Sequence, residues 1–419
     1  MTFRFISKYF VLFATFFMVI PEIYVNFASE YGMQGFCVPY LTPYFICIME
    51  RNRTISILKG LCIIFVVLVH AGPPQCMFHF FHLFNMPVFF IASGYFFKYE
   101  SLYDPLKFCK KKIERLYLPF LKWALLFLLL HNLWFEIGIL NQEYGSIYGH
   151  MPHPYDLREF RMLFFHIVVG MTGYDEFMAA PFWFFRGLLV ASLLFFAVLK
   201  TLDSLLRIKE VWCIIVACVI CYIFQTVRLW QGFEVVFIPN GGLREVWGAF
   251  FIGIGALCRK FECKLKCRWC VTMICFVILC IGSQLSWHGM ENTGSLRDVV
   301  TLPLTGFAGF VFVRHLSQLI TRAGGGIERL LTYIGDNTFY IFILHVVCFK
   351  IASALKILYY NLDWGHIGSH LVVHYKEGED CFWILYTVIG TSVPLIMHEL
   401  WKRWFAPLSA RIYAFRRAA

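Results

Sequence analysis

The sequence is poor in charge. Only 15% of its 419 residues are Asp, Glu, Lys or Arg, against 59% hydrophobic, and the mean hydropathy is +0.67. Soluble domains carry about a quarter charged residues, so the surface of an ordinary soluble protein is excluded. Acid is the scarcer sign: 26 Asp and Glu stand against 37 Lys and Arg, a net charge of +11. Such an excess can mark a nucleic-acid binder, but no RNA- or DNA-binding motif accompanies it. The basic residues instead gather in short runs between apolar segments. No clear small-residue cleavage site follows the apolar run 9–20, and no inverted repeat of the transporter kind is visible.

Cysteine is not scarce, with sixteen residues. Cys62, Cys213, Cys218, Cys221, Cys275 and Cys280 lie inside apolar segments, where they act as small hydrophobes. Cys258, Cys263, Cys267 and Cys270 end in a CxxC within a basic loop. A zinc knot needs four converging thiolates, and reduced cytosolic thiols are the simpler reading. No metal is expected.

What dominates is a series of apolar runs: 54–71, 78–97, 116–138, 180–201, 211–227, 243–258, 269–287, 298–320, 331–353 and 381–400. Each approaches the ~20 residues that cross a ~30 Å hydrocarbon core. In lipid they must be helices, because a helix satisfies its own backbone. The fold class is therefore an all-α integral membrane protein, a bundle of ten core transmembrane helices. Basic clusters precede the first run and follow the second, fourth, sixth, eighth and tenth. All fall on one side, so both ends of the core are expected in the cytoplasm. Residues 49–405 form the expected ten-helix domain and 406–419 a basic cytoplasmic tail. Residues 1–48 read as an N-terminal extension, either an uncleaved apolar segment or sequence upstream of a start at Met49. The outer loops 139–179 and 354–380 are long enough to cover a site, and 161–173 either lies in the interface or re-enters.

Ionisable residues inside membrane helices are costly and point to function. Lys59 and His70 share the first helix. Eleven steps of about 100° return them to one face, roughly 16 Å apart. They form a polar stripe facing the bundle interior, or Lys59 snorkels and His70 merely ends the helix. In the second run His82, Asn85 and Ser93 are polar, Pro87 can kink the helix, and Asn85 can bond across to the first helix. Ser93 and Gly94 equally suit a small-residue packing face. Arg186 is too deep to snorkel easily, and His345 is mid-membrane and either lines a site or packs. Arg244 and Glu245 fall at an outer helix end, where a surface role is as good.

These residues sit in patterns that resemble the acyltransferase 3 family of membrane acyltransferases. Lys59-x10-His70 is similar to its Arg/Lys-x10-His signature. The stretch 84–95, Phe-x-Met-Pro-x-Phe-Phe-x-x-Ser-Gly-Tyr, is similar to its second helix. Lys112-Ile-Glu-Arg115 resembles its Arg-x-x-Arg motif with Lys in first place. Trp183-Phe-Phe resembles its Trp-Phe-Leu, and Gly335-Asp-Asn-Thr338 with His345 resembles a late Gly-x-x-Ser…His helix. The resemblance implies transfer of an acyl group, usually acetyl, from a coenzyme A thioester. It implies that His70 is the catalytic histidine, Lys59 its basic partner, and Lys112 and Arg115 the donor-binding residues. His82, Asn85, Ser93, Trp183, Arg186 and His345 are candidates to line the site.

The chemistry of the residues agrees. An imidazole can take the proton from an attacking hydroxyl, and Lys59 or another buried donor can stabilise the oxyanion. The cations 110–115 suit the phosphates of coenzyme A, though positive-inside charge explains them too. The expected function is a membrane O-acyltransferase with a carbohydrate or glycolipid acceptor. The alternative is a transporter or flippase for a glycolipid or sugar. Acyl-CoA is expected as donor substrate, with no permanently bound cofactor. Partners are the acceptor and membrane lipids, without nucleic acid. The expected location is a multi-pass position in the inner membrane, if bacterial.

Overall fold

The computed structural model describes residues 42–145, 151–175, 177–235, 242–262, 269–291, 294–374 and 380–404, with side chains from residue 53 onward. The expected tail 406–419 and most of the extension 1–48 lie outside them. Residues 42–48 begin the first core helix, α1 (Thr42–His70).

Among the described residues the regular structure is helical. After α1 come α2 (Gln75–His82), α3 (Asn85–Tyr95), α4 (Pro105–Lys112) and, beyond a π-turn at Ile113–Tyr117, α5 (Leu118–Glu136). α6 (Leu157–Gly170), α7 (Trp183–Leu206), α8 (Glu210–Gln231), α9 (Leu243–Lys260) and α10 (Trp269–Gln284) follow. α11 (Asp298–Ala323), α12 (Gly325–Asp336), α13 (Thr338–Tyr360) and α14 (Phe382–Trp404) complete the bundle. Among the described residues, eight spans are long and apolar enough to cross a membrane. α9 and α10 occupy the places of the sixth and seventh expected segments. α9 escapes a simple hydropathy reading because Arg244, Glu245, Arg259 and Lys260 lie at its two ends, and α10 has only 16 residues.

Two breaks differ from expectation. The second crossing is interrupted at Leu83–Phe84, ahead of Pro87. Pro87 therefore falls in the first turn of α3, where its missing N–H has no intrahelical partner to lose. The ninth apolar run, 331–353, is also two helices. α12 ends at Asp336, and the crossing proper is Thr338–Tyr360.

α1 is enclosed by α11, α12, α13 and α14 and also touches α2 and α3. Its pairing with α12 depends on glycine. A Cβ on Gly335 would sit 1.7 Å from the Ser56 carbonyl oxygen, and one on Gly60 2.4 Å from that of Leu331. Gly94 and Gly255 allow the same intimacy between α3 and α9. Gly335→Val is expected to destabilise the fold by at least the ~1–3 kcal/mol typical of overpacking, because backbone cannot move aside as a side chain can. Thermal melting of the purified variant tests this; an unchanged transition would contradict the close α1–α12 contact.

α6 settles the 161–173 segment. A capping box of Asp156 and Glu159 starts it beside the far end of α5, where Asn132 bonds both backbone groups of Tyr155 at 2.8 and 2.9 Å. Near its other end the Val168 carbonyl accepts from the Tyr117 hydroxyl at 2.7 Å. Tyr117 directly precedes α5 and stands about 22 Å along the helix axis from Asn132, so α6 runs back along α5 instead of lying across its end.

Candidate active site

The helix ends sort into a basic end, carrying Lys112, Arg259 and Lys260, and an opposite end, where His70 closes α1. At the opposite end the His70 and His345 rings meet edge to face with centroids 5.2 Å apart. His70 Nδ1 lies 2.8 Å from the Val66 carbonyl oxygen, and His345 Nδ1 2.9 Å from that of Ile341. A carbonyl only accepts, so in the neutral rings Nδ1 carries the hydrogen and Nε2 keeps its lone pair. His70 is partly exposed, whereas His345 is fully buried with an unpartnered Nε2. His82, at the end of α2, is buried against Phe78 within electrostatic range of His70, and its Nε2 is also unpartnered.

A fourth histidine joins them from the loop. His370 bonds the backbone of His70, and burial first, then the nearby His70 and Lys350, hold it to about 3, so it is neutral. Lys350 fixes this loop by donating to the carbonyls of Ile367 and Ser369, both at 2.8 Å. The loop is locked to the other long loop: Asn141 donates to Gly365 at 2.7 Å, and Tyr144 packs on His366. A fully buried His131–Asp175 pair, 2.6 Å apart, anchors the second loop to α5. Together the two loops cap the histidine end, as their length suggested.

Lys59 is elsewhere. It lies within electrostatic range of Asp336, whose carboxylate accepts from Ser56 Oγ at 2.6 Å. It is about 16 Å along α1 from His70, farther than a lysine side chain extends. The structure therefore places the two on one stripe without bringing them together. Asp336 supplies the counter-charge that the first helix alone did not reveal.

Lys112 is largely buried at the basic end, donating to Ser192 Oγ of α7 at 2.9 Å with its ammonium 5.5 Å from the Phe108 ring. Arg115 is exposed within the π-turn. π-Turns often mark functional sites, and this one sits at the Lys-x-x-Arg motif. Ser93 lies beside Gly94 at the α3–α9 contact, away from the histidines. Asn85 is buried, but the bond it shows is local: its Oδ1 accepts from Met86 N at 2.7 Å, serving the first turn of α3 and not α1.

Trp183 and Arg186 belong to a second polar cluster. Arg186 pairs with Glu245 of α9 at 3.4 Å, with side chains 7% and 1% exposed. Arg244 lies over the Trp183 ring, 4.5 Å from its centroid, and donates to the Glu291 carbonyl at 3.2 Å. Arg244 and Glu245 are thus interior contacts, not surface residues. Glu291 neighbours His82, which links this cluster to the histidines. Of the four cysteines considered for zinc, Cys263 and Cys267 lie outside the described residues and Cys258 is buried. No group of three or more His, Cys, Asp or Glu is arranged to hold a metal among the described residues.

With this geometry in hand, a family model described as "Acyltransferase domain" matches residues 52–399. The chain belongs to this acyltransferase family. Searches of curated proteins and of solved structures returned no match. The match spans α1 through most of α14 and includes each histidine named above. This acyltransferase is a multi-pass membrane protein. Sequence reasoning passed over His370 and Asp336. Asp336 stood inside the quoted Gly-Asp-Asn-Thr stretch, whereas His370 carried no signal beyond being a histidine in a long loop.

Proposed function

We propose that the protein transfers an acyl group, acetyl by preference, from a coenzyme A thioester to a hydroxyl of a carbohydrate acceptor. The observation that carries this reading is the His70 ring. Its Nδ1 is engaged by the Val66 carbonyl, so Nε2 is oriented as a base at the partly open end of the bundle. The acceptor hydroxyl gives its proton to Nε2 as its oxygen attacks the thioester carbonyl. The C–S bond then breaks, and the imidazolium returns the proton to the departing thiolate. Carbohydrate is the favoured acceptor class because a hydroxyl-rich ligand suits the unpartnered Nε2 atoms of His82 and His345.

The donor is placed with its phosphates at the basic end, near Lys112 and Arg115, and its slender arm directed into the bundle past Lys59. The basic end faces the cytoplasm, where acyl-CoA is made, and the histidine end faces outward. In this arrangement Lys59, within electrostatic range of Asp336, provides positive charge along the donor's path and does not act as the oxyanion donor.

Lys112→Ala and Arg115→Ala are expected to raise the apparent KM for acetyl-CoA about tenfold each. Removing a charge-assisted contact of ~1.5–3 kcal/mol corresponds to that order. The check is steady-state release of coenzyme A thiol by detergent-purified protein at saturating glycan. A rise in acceptor KM with donor KM unchanged would remove these residues from the donor site.

A further inference from the structure

We propose that the acceptor carries an oxyanion group, a carboxylate or a phosphate, and that Arg244 receives it. This rests on the acyl-transfer reading and adds the acceptor's charge to it.

Three arginines meet at the opposite end of α7, α8 and α9. Arg186 has Glu245 as its ion-pair partner. Arg228, at the last turn of α8, faces Glu234 and Glu245. Of the three, Arg244 has no carboxylate within ion-pair reach among the described residues, and it donates to a backbone carbonyl. The adjoining stretches 236–241 and 292–293 contain no acidic residue. Its Nε is buried without a hydrogen-bond partner.

The guanidinium is oriented as a receptor. One face lies over Trp183, which fixes its plane and leaves its edge as the site for bidentate bonding to a carboxylate or phosphate. Arg244 also lies in the first turn of α9, whose N-terminal dipole favours an anion. The same end of α8 and α9 holds three further buried atoms without hydrogen-bond partners, Glu245 Oε2, Gln225 Oε1 and Trp247 Nε1, each on a residue essentially without exposure. A neutral packing cluster does not account for an unpaired cation with this many open polar atoms. A ligand with one negative group supplies the counter-charge that Arg244 lacks. The position also fits: the Glu291 carbonyl accepts from Arg244, and both Glu291 and His70 lie within electrostatic range of His82. On this proposal the anion binds on the His82 side of His70.

The test uses detergent-purified full-length protein, acetyl-CoA and three acceptors: methyl glucuronide, a glucose monophosphate and neutral methyl glucoside. Transfer is read by mass spectrometry, and binding by thermal shift without donor. The wild type is expected to favour at least one charged acceptor over the neutral one by tenfold or more in kcat/KM. The preferred acceptor tells carboxylate from phosphate. Arg244→Gln should collapse the ratio to near one, chiefly through KM, and Arg244→Lys should keep part of it. A melting curve for each variant separates this from misfolding. A wild-type ratio near one, or a ratio unchanged in a folded Arg244→Gln protein, overturns the proposal. Stabilisation by a charged sugar, abolished in Arg244→Gln but with no transfer to any acceptor, would keep the anion site and overturn the acyl-transfer reading instead.

Discussion

His70→Ala is expected to lose roughly 10²–10⁴-fold in specific activity, the range typical of general acid–base catalysis, while keeping its melting temperature within a few degrees. The fold tolerates the change because His70 ends its helix, is partly exposed, and makes its recorded side-chain bond to its own α1 backbone. A histidine that merely packed would give the reverse pattern, lower yield and lower melting temperature with specific activity intact. His345 makes the informative comparison. It is wholly enclosed and its Nε2 is unpartnered, so His345→Ala leaves a cavity and is expected to lower stability as well as activity. The pair of variants, measured as specific activity and melting temperature on monodisperse protein, therefore separates the base from its neighbour.

The largest expected effect on stability comes from Glu245→Ala. It leaves the Arg186 guanidinium, 7% exposed, without its carboxylate in the bundle interior. Removing one member of a buried pair typically costs about 3–5 kcal/mol, because the remaining charge is stranded. Arg228 loses the same counter-charge, which adds to the effect. The double variant Arg186→Met with Glu245→Leu should recover much of the loss, since an apolar pair has no desolvation to repay. Thermal unfolding of the single and double variants in one detergent measures this. A double variant no more stable than Glu245→Ala would mean that the pair is not what holds α7 to α9.

The helices of the bundle were legible because hydropathy is local: each run of apolar residues declares itself without knowledge of the others. The breaks inside two of them were not. Apolar composition continues through Leu83–Phe84, and what the break serves is tertiary: Gly309 of α11 leaves room for the Phe84 side chain, which a Cβ there would meet. At Asn337 the chain turns because α12 must lie against α1 through Gly60 and Gly335, a contact between positions far apart in sequence. The site divides the same way. The stripe of Lys59 and His70 follows from helical geometry alone, and His345 follows from its depth. The partners do not: Asp336 for Lys59, Glu245 for Arg186, Trp183 for Arg244 and His370 for His70 all come from other elements. A single sequence shows which buried groups need a partner, and the fold shows which partner each receives.

The proposed function requires this membrane acyltransferase to move acetyl from coenzyme A to a sugar hydroxyl through His70. The direct measurement incubates purified wild-type and His70→Ala protein with acetyl-CoA carrying a labelled acetyl group and a mixture of glycans, then locates the label by mass spectrometry. Labelled ester is expected on a glycan oxygen, formed in step with free coenzyme A and absent above background with His70→Ala. Label that stays on the thioester with wild-type protein, or equal labelling by the two proteins, would contradict it.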